Sequence, residues 1–97
     1  MSFILVDYDA PDRDLQIGNR YWHPIVTEIR RAKLLPDEKA EKIAYNLCER
    51  LDKEEVLRIA RHLRKEGPAT SLAQALGSDV FNLIVDFIEE SNGLEIC

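Results

Sequence analysis

Residues 78–97, SDVFNLIVDFIEESNGLEIC, decide the expected fold. Val80, Phe81, Leu83, Ile84, Val85, Phe87 and Ile88 make a short helix that is apolar on nearly every side. Ser78 or Asp79 is placed to cap its start, and Asn92-Gly93 to end it. A helix without a polar face is normally surrounded by protein, so this segment is expected to be the central pillar of the domain. Beyond the turn, Leu94–Ile96 reads as a short strand, which must find a partner for its backbone donors and acceptors. The other strand-like run is Phe3–Tyr8, β-branched and aromatic and closed by Asp9-Ala10-Pro11-Asp12. The two are expected to pair and tie the termini together.

The segments between them read as helices. Asp9–Gly18 is expected to be a solvated loop whose acids cap the helix after it. In Asn19–Leu34, Tyr21, Trp22, Ile25, Val26 and Ile29 mark one face, and Pro24 falls in the tolerant first turn. Trp22 should point inward, with Tyr21 at the margin and His23 outside. Leu35-Pro36 closes that helix and opens the next, with Asp37 and Glu38 at the positive end of its dipole. Ala40, Ile43, Ala44, Leu47, Cys48 and Leu51 give the second helix its buried stripe. Asp52 and Glu55 have capping-box spacing at the start of a third helix, which runs to Glu66 and buries Val56, Ile59, Ala60 and Leu63. Gly67-Pro68 stops it. Thr70 or Ser71 caps a fourth helix, Leu72–Leu76, ended by Gly77. The expectation is one mainly α domain over residues 1–97. It is a compact all-α bundle of four to five helices around the C-terminal helix, with a two-stranded β clasp joining the termini.

Composition narrows the function classes. The chain has 97 residues, a net charge of −5, 45% hydrophobic and 32% charged residues. That length supports one hydrophobic core without metal or disulfides. The acidity points away from nucleic acid and anionic membrane surfaces and toward a basic protein partner. No run approaches the ~18–20 apolar residues of a membrane span, and residues 1–6 lack a basic, apolar leader pattern. Cys48 and Cys97 do not form a disulfide framework. Two reduced thiols and a cytoplasmic location are expected, with Cys48 a core thiol.

Chemical motifs are sparse. The strand ending Asp7-Tyr8-Asp9 resembles the first motif of haloacid-dehalogenase-type phosphotransferases. That resemblance covers only Phe3–Pro11, and Pro11 stands where threonine or valine belongs. As a calcium loop the same stretch fails at Pro11, Asp12 and Gly18. His23, Cys48, His62 and Cys97 are scattered, with no metal-ligand spacing. No phosphate-binding glycine loop or nucleophile elbow is present. These absences point to a protein without catalytic residues, cofactor or metal. Residues 71–84 resemble a helix-turn-helix unit, but the second helix would offer Val80, Phe81 and Ile84 to base edges, which need polar partners.

Two surfaces remain as binding candidates. One is an acidic patch of Asp7, Asp9, Asp12 and Asp14, with Tyr21 as an aromatic anchor at its rim. The other is a basic helix face, Arg58, Arg61, His62 and Lys65, with Arg64 on its shoulder. The tail Phe87-Ile88-Glu89-Glu90-Ser91-Asn92-Gly93-Leu94-Glu95-Ile96-Cys97 resembles the ends of small uncharacterised bacterial proteins, as residues 36–51 resemble their middle. Some of those are candidate immunity or antitoxin partners of secreted toxins. The resemblance implies a non-catalytic inhibitor that binds a protein, and it carries no functional residue across. A nucleic-acid-linked regulator using the basic face, and a structural or assembly subunit forming a homodimer, are the alternatives.

Overall fold

Residues 2–45, 47–66 and 71–97 are described in a computed structural model. Its elements are β1 (Ser2–Asp7), β2 (Ala10–Gly18), α1 (Asn19–Arg31), α2 (Asp37–Ala44), β3 (Glu49–Leu51), α3 (Lys53–Glu66), α4 (Ser71–Leu76), α5 (Ser78–Glu90) and β4 (Leu94–Ile96). The strands form one antiparallel sheet in the order β2-β1-β4-β3. The expected all-α bundle with a two-stranded clasp is therefore incorrect. The terminal strands do pair, Leu5 with Ile96 and Asp7 with Leu94, but as the middle of a four-stranded sheet.

Each misread strand has a physical reason. Residues 10–18 were expected to be a loop because Pro11 and the charges at 12, 13 and 14 look like loop chemistry. Period-two alternation is nevertheless present. Leu15 and Ile17 turn toward the core, while Asp12, Asp14 and Gln16 are exposed. The acids do not cap α1, whose N-cap Gly18 offers no side chain. The second helix was expected to continue to Leu51. It ends at Ala44, and the chain turns through Leu47 and Cys48, both exposed, into β3. Leu51 is buried in either arrangement, so its apolarity could not discriminate between them.

The helices cover one face of the sheet. Phe3 and Leu5 of β1, Ile17 of β2, Leu51 of β3 and Leu94 and Ile96 of β4 are buried against them. The helices contribute Trp22, Ile25, Val26 and Ile29 from α1, Val56, Ile59, Ala60 and Leu63 from α3, and Phe81, Ile84, Val85, Phe87 and Ile88 from α5. The opposite face carries Ile4, Tyr8, Arg50 and Glu95 toward solvent. This one-sided burial is common in antiparallel sheets. The C-terminal helix is consequently no all-round pillar. Asn82, Asp86 and Glu90 are exposed, and so is Leu83, at 57%.

Local contacts account for the element ends. Trp22 is buried, Tyr21 half-buried and His23 exposed, and the Trp22 indole N–H donates to the Ile43 carbonyl at 3.0 Å, joining α1 to α2. α1 stops at Arg31, short of the expected Leu34. There Lys33 is left-handed (φ 54°), and the Leu34 N–H reaches the Ile29 carbonyl at 3.0 Å, a Schellman closure. The capping box at α3 forms as spaced: Glu55 N donates to Asp52 Oδ1 (2.8 Å) and Asp52 N to Glu55 Oε1 (3.0 Å). α5 follows Gly77 at φ 85° with no side-chain cap from Ser78 or Asp79. At Gly93 (φ 125°) a Cβ would stand 2.8 Å from the Tyr8 ring and 3.1 Å from the Leu51 carbonyl. Glycine thus lets the chain swing from α5 into the slot between β1 and β3. The expected Gly67-Pro68 stop and the Thr70 cap lie outside the described residues.

The cysteines are also corrected. Cys48 and Cys97 form a disulfide, with Cα atoms 4.1 Å apart, where two free thiols and a core Cys48 were expected. Early termination of α2 carries Cys48 to the next cross-strand position after the Glu49–Ile96 pair. On its other side Cys97 exchanges both backbone hydrogen bonds with Ile4, at 2.9 and 3.0 Å. The bond closes a sequence separation of 49 residues. On a chain-entropy argument, Cys97→Ser should lower the unfolding free energy by about 2–4 kcal/mol. Urea titrations check this: reductant should bring the wild-type midpoint down to that of the variant and leave the variant unmoved.

Candidate functional site

The acidic patch separates into one internal carboxylate and three external ones. Asp7 is 3% exposed. Its Oδ1 accepts from the Asp9 N–H (3.1 Å) and the Asn92 N–H (3.4 Å), and its Oδ2 accepts from Arg13 Nη1 (3.2 Å). Arg13 continues to Glu90 at 2.8 Å and lies over the Phe87 ring, 4.6 Å from its centre. Asp7 therefore joins the β1–β2 turn to the end of α5. A buried carboxylate so engaged supports the fold and is not a contact surface. Arg13 is the residue that sequence reasoning missed. Its signal was a lone cation among four acids.

Asp9, Asp12 and Asp14 are exposed, and none is in an ion pair among the described residues. Asp9 sits in the turn before β2, and Asp12 and Asp14 project from β2 itself. Tyr21 lies just past the far end of the strand, near Gly18, with the Arg20 guanidinium 5.8 Å from its ring centre. Two of the acids thus lie on β2 itself, a strand about 30 Å long at the usual rise per residue, with Asp9 in the turn before it and Tyr21 in α1 beyond it.

The basic face is partly used by the fold. Arg58 donates to the Leu34 carbonyl at 3.1 Å, and His62 Nε2 lies 2.7 Å from Glu28 Oε2. Arg64 is held by Glu89 at 2.8 Å and also contacts Asp86. Arg61 and Lys65 project from α3 into solvent. Arg58 and Arg61 share an open hollow with Glu54 and Leu57. At the start of the same helix the Glu55 carboxylate takes the Lys39 ammonium at 2.8 and 3.0 Å. That bond, outweighing burial, raises the Lys39 pKa. Glu28 is held down at about 2, chiefly by its hydrogen bonds from Arg31 and with help from His62, against partial burial.

A third surface emerged only from the sheet. Val6, Asp7, Tyr8, Arg50 and Glu95 line an open hollow on the helix-free face. Arg50 donates to Glu95 at 3.1 Å, and its guanidinium lies 5.5 Å from the Tyr8 ring centre. Among the described residues no group of three or more His, Cys, Asp or Glu side chains could hold a metal. No helix among the described residues is long and apolar enough to cross a membrane. The geometry offers charged and aromatic contact surfaces.

The acids should separate by burial. Asp7→Ala is expected to cost about 2–3 kcal/mol, because it leaves Arg13 and two N–H donors without their acceptor. Asp12→Asn and Asp14→Asn should each stay within about 0.5 kcal/mol; denaturant titration of the three variants measures the difference. Glu28 makes a pH prediction of definite sign. Its folded pKa lies below its ordinary 4.5, so its stabilisation is complete above about 4.5 and is lost as the pH falls through about 2. Glu28→Gln should therefore flatten the decline of stability in that window, as followed by chemical unfolding at successive pH values. No family model, curated protein or solved structure matches this chain.

Proposed function

We propose that this protein is a small non-catalytic binding module, and that its concrete role is immunity-type or antitoxin-type inhibition of a basic protein partner. The observation that carries this reading is the exposure, without counter-ions among the described residues, of Asp12 and Asp14 on β2 and Asp9 in the turn before it. A net charge of −5 favours encounter with a basic surface, and complementary charge sets both rate and partner choice. Inhibition requires only such complementarity and no reacting group. The resemblance of the C-terminal tail to candidate immunity proteins points in the same direction. Tyr21 is the proposed aromatic contact at the end of the acidic row; Asp7 is withdrawn from the contact set because it is buried.

The proposed compartment is the cytoplasm. Glutathione there keeps most exposed disulfides reduced, so the redox state of Cys48 and Cys97 in cells reports on that assignment. A nucleic-acid-linked role keeps one supporting observation, the exposure of Arg61 and Lys65 on α3. Arg58 and His62 are engaged by the fold, which leaves little of that face for phosphate.

The test is co-purification with the products of neighbouring genes, comparing the wild type with Asp9→Ala/Asp12→Ala/Asp14→Ala. The expected outcome is a stoichiometric complex with a basic protein that the folded triple variant fails to retain. Retention by the variant, or a low-salt gel shift with nucleic acid that Arg61→Ala and Lys65→Ala abolish, would overturn it.

A further inference from the structure

We propose that the outer edge of β2 is the docking surface itself, and that it takes an extended, basic segment of the partner as an added antiparallel or parallel strand. This rests on the binding-module reading and names the chemistry of what is bound.

The sheet order leaves β2 terminal, paired with β1 on one side and with no strand on the other among the described residues. The strand is 9 residues long, whereas the opposite edge, β3, has 3. From Asp14 to Gly18 its ladder with β1 is regular, and the irregularity lies farther along, beside Asp7. At Asp12 and Asp14 its outer side therefore presents backbone donors and acceptors suited to strand addition.

Charge selects the occupant. Asp12 and Asp14 project from the helix-free face of β2, where a neighbouring strand would set its own side chains 4.5–5.5 Å away by usual cross-strand spacing, so roughly one contact apart. Lysine or arginine at alternate positions would meet these carboxylates. A second copy of this chain is disfavoured by the same residues. Full-overlap antiparallel pairing of β2 with itself is centred on Asp14 and places the two Asp14 carboxylates opposite one another. The acids thus oppose self-association and favour a basic strand, which is specificity by attraction and repulsion together.

The probe is a synthetic peptide alternating lysine and threonine, with two controls N-methylated on one or the other set of alternate amides. Binding is followed at low salt by backbone amide NMR of the full chain. The parent peptide is expected to shift and protect amides in residues 12–18. Methylation of the inward-facing set should weaken binding about tenfold or more, a full decade in Kd, while methylation of the other set leaves it intact. Asp12→Asn/Asp14→Asn should weaken the parent peptide without disturbing the fold. Equal binding by all three peptides, lost in the Asn double variant, would overturn strand addition and leave the acidic-surface reading standing. No binding of the parent peptide, shifts confined to α3 or α5, or concentration-dependent dimerisation through β2 would each overturn the proposal. A natural partner that protects other faces and spares β2 would refute the edge while keeping the binding-module reading.

Discussion

The placement of the C-terminal strand in the middle of the sheet is the constraint on which the rest of this fold depends. β4 pairs with β1 on one side and β3 on the other, so four strands become one sheet only because the chain returns to fill that slot. The return needs α5 to stop at Glu90 and the backbone at Gly93 to pass between the Tyr8 ring and the Leu51 carbonyl. Leu94 and Ile96 then join Phe3, Leu5 and Leu51 beneath the helices. Because the contact joins residues distant in sequence, the loop-closure entropy is met late by apolar burial. The Cys48–Cys97 bond reinforces the same junction.

Charge serves two purposes in this molecule, and burial sorts them. Inside, Asp7, Glu28 and Glu55 each receive several hydrogen bonds from cations or backbone amides, joining the β1–β2 turn to α5, α1 to α3, and α2 to α3. Carboxylates withdrawn from water require such donors. Outside, Asp9, Asp12 and Asp14 lack counter-ions among the described residues and remain available. A row of like charges along an edge strand opposes pairing of that edge with another copy of itself.

The sites follow the same division. Tyr21 at the margin, exposed Asp9, Asp12 and Asp14, and an outward α3 face with Arg61 and Lys65 agree with what residue type and spacing indicate. Asp7 departs from it, because nothing local reveals that Arg13 and the Asn92 amide converge on its carboxylate. The Tyr8–Arg50–Glu95 surface was equally out of reach, since its residues meet only across β1, β3 and β4.

The sequence by itself determined the stripes of α1 and α3, the Asp52–Glu55 cap, the breaks at Pro36 and Gly77, and the pairing tendency of Phe3–Tyr8 with Leu94–Ile96. Those features rest on interactions within a few residues, or on a β-branched pattern strong enough to read alone. Tertiary structure decided that residues 10–18 and 49–51 are strands, that the C-terminal helix keeps a wet face, and that the two cysteines meet. A strand's backbone partners lie elsewhere in the chain. A charged nine-residue stretch and a three-residue one become strands only when β1 and β4 offer them an edge.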